Sequence, residues 1–289
     1  MFEGFTEQRI ATSGAEIFLR TAGSGPPLLL VHGYPETHAM WHKVAPTLAE
    51  RFTVVCPDLR GYGASSKPES DPEHVTYSKR AMARDLVEVM ASLGHDRFHV
   101  AGHDRGGRVT HRLALDHPGR VERVAVLDII PSLHVFDSVD QAVATGTYHW
   151  FFLIQPAPLP ERLIGNDPEF WLRWHLRSWS AGRDDFYDPE AVAAYVAAFS
   201  DPKSIHATCE DYRAGASIDL VHDRADVAAG RRIAAPLLVL WGALGKPQDL
   251  GAVWRERADH VTAVPLQAGH FLAEEVPQET AAALLDFFS

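Results

Sequence analysis

Residues 97–114 read RFHVAGHDRGGRVTHRLA. A short apolar run at 98–101 meets Gly102, then Asp104, then Gly106 and Gly107, after which the apolar spacing becomes that of a helix. This is a buried strand, a sharp turn and a helix. Glycine permits a strained turn and a close approach of helix to strand, so Asp104 is exposed at the carboxyl end of a sheet. Alone, an aspartate at this place reads as a helix cap. The Gly-x-Asp-x-Gly-Gly setting behind a buried strand makes it a nucleophile instead. The residue type then selects the chemistry. A serine that attacked saturated carbon would leave an ether, which water does not readily cleave. A carboxylate leaves an ester that activated water can hydrolyse, so Asp104 points to displacement at an alkyl carbon.

Working outward, PPLLLVHG (26–33), FTVVCPD (52–58) and VERVAVLDI (121–129) are further β-branched or leucine-rich runs that end in Gly, Pro or Asp. They read as buried parallel strands. MWHKVAPTLAE (40–50), TYSKRAMARDLVEVMASLG (76–94) and GGRVTHRLALDHPG (106–119) have helical spacing, and the alternation implies βαβ units. EQRIATSGAEIFLRTAG (7–23) predicts an antiparallel hairpin at the sheet edge. From 132 to 230 the chain is rich in Trp, Phe, Tyr and Pro, with helical stretches such as PEAVAAYVAAFS (189–200). APLLVLWG (235–242) and VTAVPLQAGH (261–270) resume the strand pattern, and QETAAALLDFF (278–288) is an amphipathic helix. The expected organisation is an α/β core of residues 1–131 and 231–289 interrupted by a helical cap, 132–230.

The totals bound the function. The 289 residues are enough for a large core, and the formal charge of −11 disfavours nucleic acid or an anionic membrane as partner. No apolar run is long enough to span a bilayer, and the first ten residues lack the features of a signal peptide. The two cysteines, Cys56 and Cys209, are far apart, which suits a reduced, cytoplasmic protein. The sequence has neither His-Glu-x-x-His nor a phosphate loop, and no metal or organic cofactor is expected.

A carboxylate nucleophile needs a base and an acid that orients it. LQAGHFLAEEVP (266–277) places His270 in a loop after the last strand, where a base belongs. After the preceding strand, LLVLWGALGKPQD (237–249) offers no acid before Asp249, which is late. Asp128, which ends VERVAVLDI (121–129), is the better candidate.

With these residues in place, the chain resembles the α/β-hydrolase superfamily, and within it the fluoroacetate (haloacetate) dehalogenases. The resemblance runs over essentially the whole length. It rests on HGYPETHAMWHKVAP (32–46), PDLRGYGASSKP (57–68), GHDRGGRVTHRLALDHP (102–118), LDIIP (127–131), YHWFF (148–152) and AGHFLAEEVP (268–277). It implies a mostly parallel eight-stranded sheet flanked by helices, and a small anionic haloacid as substrate. By the same resemblance Asp104 is the nucleophile, His270 the base and Asp128 the orienting acid. Arg105 and Arg108 hold the substrate carboxylate, and His149, Trp150 and Tyr212 cradle the departing halide. The backbone N–H of Tyr34 stabilises the oxyanion, and Trp179 lines the pocket. A homodimer is a further implication of the family.

Elementary electrostatics agrees with the arginines. Two carboxylates about 4 Å apart repel by roughly 4 kcal/mol at an effective dielectric of 20, so a haloacid cannot approach Asp104 without nearby cations. Arg105 and Arg108, three residues apart on one helical turn, can supply them. An epoxide hydrolase would use the same ester chemistry with cap tyrosines, for which Tyr148, Tyr187, Tyr195 and Tyr212 are available, but a neutral epoxide has no use for Arg105. A catalytically dead binding protein of the same fold is the other alternative.

Overall fold

In a computed structural model that describes residues 1–244 and 249–289, eight strands form one sheet. They are β1 (Thr6–Ala11), β2 (Glu16–Ala22), β3 (Pro27–Val31), β4 (Thr53–Pro57), β5 (Phe98–His103), β6 (Val121–Leu127), β7 (Leu237–Gly242) and β8 (Val261–Leu266). Their order across the sheet is β1-β2-β4-β3-β5-β6-β7-β8. β1 and β2 form the expected hairpin, and β2 also meets β4 antiparallel. Every other pair is parallel. The fold is an α/β hydrolase, with a mostly parallel sheet flanked by helices.

The central strands read as unbroken apolar runs because both of their faces are covered. Every residue of β5 and β7 is buried. β8, at the edge, is partly buried at Val261, Ala263, Val264 and Leu266 and exposed at Thr262 and Pro265. Helix Lys79–Ser92 begins where the side chain of Ser78 accepts from the N–H of Ala81. One predicted helix is different. Residues 40–50 do not form a single element, but a 3-10 turn, His38–Trp41, followed by a short helix, Ala45–Ala49. Pro46, which has no N–H to give, sits in the first turn of the second piece, where proline is tolerated and the interior of a longer helix is not.

Between β6 and β7 the chain makes no strand. Its helices run from Ser132–Asp137 to Ile218–Ala228, and the longest is Pro202–Gly215. These inserted helices carry their own apolar residues into one continuous core with the sheet, among them Trp150, Leu172, Tyr195 and Tyr212.

Candidate active site

The carboxyl ends of the parallel strands are where this architecture gathers its functional groups. Asp104 follows directly on β5 with φ of +44°, a left-handed conformation that is uncommon for a residue with a side chain. The surrounding glycines account for the turn. A Cβ on Gly106 would stand 2.2 Å from the carbonyl oxygen of His32, and one on Gly102 would stand 2.5 Å from that of Gly106. Asp104 then opens helix Asp104–Asp116. Its Oδ1 accepts from the backbone N–H of Tyr34 at 3.0 Å, so the predicted oxyanion donor touches the predicted nucleophile.

His270 leaves β8 through a loop and closes the arrangement. Its Nδ1 is 2.5 Å from Oδ2 of Asp128, and its Nε2 is 3.9 Å from Oδ2 of Asp104. Asp128 directly follows β6, also with positive φ, and its Oδ1 accepts from the N–H of Gly242 at 3.0 Å. Gly242 has no room for a side chain, because a Cβ there would lie 1.7 Å from the carbonyl oxygen of Gly269 in the histidine loop. Asp249, the late acid, is exposed and pairs with Arg255 at 3.1 Å. The predicted base is therefore met by the aspartate that follows β6.

Burial opposes ionisation of Asp104. His270, His103, Arg108 and Arg105 outweigh it, in that order, and hold the carboxyl down at about 2. Asp104 is thus an anion at neutral pH.

The two arginines are not equivalent. Arg105 is buried, and one edge of its guanidinium is already used: Nε donates to Oδ2 of Asp211 at 2.9 Å and Nη2 to Oδ1 at 2.8 Å. Arg108 is buried as well, but Nη1 donates only to the carbonyl of Ile130 and the hydroxyl of Ser132, at 2.9 and 3.0 Å. Among the described residues Arg108 forms no ion pair, and its Nε has no hydrogen-bond partner. Burial, and after it Arg105, push its pKa down to about 10, which still leaves a cation at neutral pH. Both guanidiniums lie over aromatic rings, Arg105 4.1 Å from the centroid of Tyr212 and Arg108 4.4 Å from that of Trp150.

The inserted helices bring the predicted halide residues to the same place. The ring of His149 is 5.8 Å from Tyr212 and 4.6 Å from Trp179, and Trp150 is 6.2 Å from Tyr212. Trp179 bridges onward to His270, ring to ring at 5.4 Å, while its carbonyl accepts from the N–H of His270 at 3.0 Å. Nδ1 of His149 and the hydroxyl of Tyr212 are buried without hydrogen-bond partners among the described residues. Such atoms are costly unless a ligand completes them. Burial, reinforced by His175, drives the pKa of His149 well below its ordinary value, so its ring is neutral at pH 7 and can still donate one N–H.

Three residues here carry no recognisable signal in the sequence. Asp211 is one. Glu36 and His103 are the others: Oε2 of Glu36 lies 3.6 Å from Nδ1 of His103, both deeply buried, and Nε2 of His103 contacts the carbonyl oxygen of His270 at 2.9 Å. Burial and the neighbouring Glu274 raise the pKa of Glu36 well above that of an ordinary carboxyl, and burial lowers that of His103 to about 3. Burial thus disfavours charge on both groups, and Nε2 of His103 faces the backbone carbonyl of His270. Among the described residues no group of three or more His, Cys, Asp or Glu is placed to hold a metal ion.

The alpha/beta hydrolase fold family matches residues 26–277. The chain belongs to the α/β-hydrolase family. Within it, the chain is 47% identical to a fluoroacetate dehalogenase of Burkholderia sp, over 100% of this chain and 95% of that one. It is also 36% identical to a soluble epoxide hydrolase of Corynebacterium sp. (strain C12), with 98% and 97% covered. Among solved structures, an α/β hydrolase from Nostoc sp PCC 7120 superposes with a TM-score of 0.97 at 54% identity, covering 100% of this chain and 99% of that one. The resemblance read from the sequence is borne out. This α/β hydrolase has full-length relatives named for two activities, a dehalogenase and an epoxide hydrolase.

Proposed function

We propose that this hydrolase removes halide from haloacetates, fluoroacetate among them, through an ester on Asp104. Oδ2 of Asp104 attacks the α-carbon in line, the carbon–halogen bond breaks, and the halide departs toward His149, Trp150 and Tyr212. His270, oriented by Asp128, then takes a proton from water as the water oxygen adds to the ester carbonyl. The charge that develops on Oδ1 is met by the N–H of Tyr34. As the intermediate collapses, His270 returns its proton to the departing oxygen of glycolate, and the Asp104 carboxyl ionises to the free carboxylate. Arg105 and Arg108 hold the substrate carboxylate, and Trp179 walls the pocket. Residues 132–230 act as the cap over this centre.

The observation that carries this reading is Arg108: a buried cation with no carboxylate partner among the described residues, one helical turn from a carboxylate nucleophile. A buried charge left unpaired is expensive, and an anionic substrate completes it. The epoxide alternative, supported by the Corynebacterium relative, asks for free tyrosine hydroxyls. Tyr195 spends its hydroxyl on Glu274 at 2.7 Å, Tyr148 is at 3.3 Å from Nε2 of His175, and Tyr187 faces Ser180 and the carbonyl of Leu176. Of the four, only Tyr212 is left with an unpartnered buried hydroxyl.

The test is a single turnover of chloroacetate and fluoroacetate in water enriched in ¹⁸O, with free halide, glycolate and the peptide bearing Asp104 all analysed. Label should enter Asp104 while the first glycolate stays unlabelled. Label that passes straight into glycolate would exclude the ester, and turnover of epoxides with silence toward haloacids would favour the alternative.

We also infer a cytoplasmic homodimer. Both cysteines are free and buried, as suits a reducing compartment, and no helix among the described residues is long and apolar enough to cross a membrane. Phe170 and Trp174 stack at 6.1 Å on the outside of helix Pro168–Trp179, 62% and 51% exposed, which is the kind of apolar surface a subunit contact covers. Light scattering of the wild type against Phe170→Glu would decide the dimer.

A further inference from the structure

The aspartate that holds Arg105 is the feature least explained by the reaction as written. Asp211 lies on helix Pro202–Gly215, fully buried, immediately before Tyr212. Besides Arg105 it receives the hydroxyl of Tyr62 on Oδ2 at 2.7 Å and Nζ of Lys79 on Oδ1. Its backbone carbonyl accepts from Nη2 of Arg105 at 2.7 Å. Lys79 is shared with a second buried acid, Asp219, at 3.4 Å. The formal charges of Lys79, Arg105, Asp211 and Asp219 sum to zero.

The arrangement fixes a direction as well as a charge. Asp211 takes Nε and Nη2, which together form one edge of the guanidinium plane, and Nη1 makes no hydrogen bond among the described residues. The face of the same plane rests on the ring of Tyr212. Gly215, one turn after Asp211, clears the remaining side: a Cβ there would lie 3.0 Å from Nη2. An arginine held on an edge, a face and a flank has little rotamer freedom left.

We propose that Asp211 is a positioning residue for substrate recognition, which clamps one edge of Arg105 so that Nη1 is the part offered to the substrate carboxylate. Because Tyr212 follows it in the same helical turn, one segment then sets both where the carboxylate is gripped and where the halide leaves. The proposal rests on the dehalogenase reading above. It opposes a simpler view, in which Asp211 competes with substrate for the charge of Arg105. On that view its removal would tighten anion binding, whereas on the positioning view its removal loosens it.

The test uses acetate, an unreactive carboxylate, as the probe beside the two haloacetates. Asp211→Asn is compared with Lys79→Met/Asp211→Asn, which keeps the formal sum at zero, and with Gly215→Ala, which alters no charge. Positioning predicts that acetate binding by calorimetry weakens about tenfold or more in both Asp211 variants. KM for fluoroacetate and chloroacetate should rise in step, with kcat changed much less. Gly215→Ala should move the same quantities the same way by a smaller factor, and it carries the test if the Asp211 variants fail to fold. Acetate bound as tightly as in wild type, or more tightly, in the folded variants would overturn the proposal, as would a loss confined to kcat. Wild type that binds acetate but releases no halide would refute the dehalogenase reading and leave the Asp211 comparison standing. Wild type that binds no acetate would refute both.

Discussion

Nε2 of His270 stands 3.9 Å from Oδ2 of Asp104, close enough to feel its charge and too far to hydrogen-bond with it. His270 is therefore not hydrogen-bonded to Asp104, and its outer nitrogen has no hydrogen-bond partner among the described residues. A base that serves only the second step should be separable from the first. His270→Ala is expected to release one equivalent of halide per active site and then stop, with the carboxymethyl group left as an ester on Asp104. Mass analysis of the Asp104 peptide checks this, and continuing turnover would refute it.

In the proposed mechanism Asp128 acts through that histidine. In Asp128→Asn the side chain can offer Nδ1 of His270 a donor where a carboxylate was, so the imidazole settles in the wrong tautomer. Ester hydrolysis should fall by about 10³- to 10⁴-fold, the scale known for the corresponding change in serine proteases. The halide burst should keep most of its rate. Rapid-quench measurement of the two phases separates these effects, and equal losses in both phases would argue against an orienting role.

Tyr212 tests the leaving-group site. Fluoride is strongly hydrated and needs donors in place of the lost water, and the Tyr212 hydroxyl is buried with nothing else to bond among the described residues. Tyr212→Phe should slow fluoride release by about one to two orders of magnitude, as expected for a lost hydrogen bond to a charged group. Chloride release should suffer less. The ratio of kcat/KM for the two haloacetates is the readout, and an unchanged ratio would remove Tyr212 from halide binding.

The pH dependence follows from Asp104. Its pKa in the folded protein is about 2 against an ordinary 3.8, held down by His270 foremost against the opposing effect of burial. A depressed carboxyl stabilises the fold above the ordinary value, and that contribution is lost as pH falls toward 2. Across pH 5–8 Asp104 is ionised throughout. The halide burst should show no titration of Asp104 over that interval in rapid-quench experiments. A carboxyl titration of Asp104 with its midpoint inside the interval would show that it is misassigned.

How much of this was legible from residues alone depends on how local each feature is. The turn at Asp104 declares itself, because the glycines that permit it are its sequence neighbours and the strand before it is a simple apolar run. Strands β3 to β7 are legible for the same reason. The helix expected over 40–50 was misjudged because apolar spacing outvoted Pro46, whose missing N–H divides the segment. Asp211 carried no signal: its meaning depends on Arg105 and Lys79, more than a hundred residues earlier, and an isolated Asp on a helix reads as a solvated face. Glu36 and His103 lie within HGYPETHAMWHKVAP and GHDRGGRVTHRLALDHP, yet only their burial shows that charge on either is disfavoured. Long-range partners of buried charges are decided by how elements dock, and periodicity holds no record of docking.

The cluster around Asp211 also bears on how substrate gets in. It joins the inserted segment to the sheet domain through ion pairs sealed from water, and parting such a pair costs roughly 3–5 kcal/mol for each charge stranded. A wholesale hinged lid is thereby discouraged at this seam. On the proposed function, substrate and halide would then pass by rearrangement of individual side chains, without this seam parting.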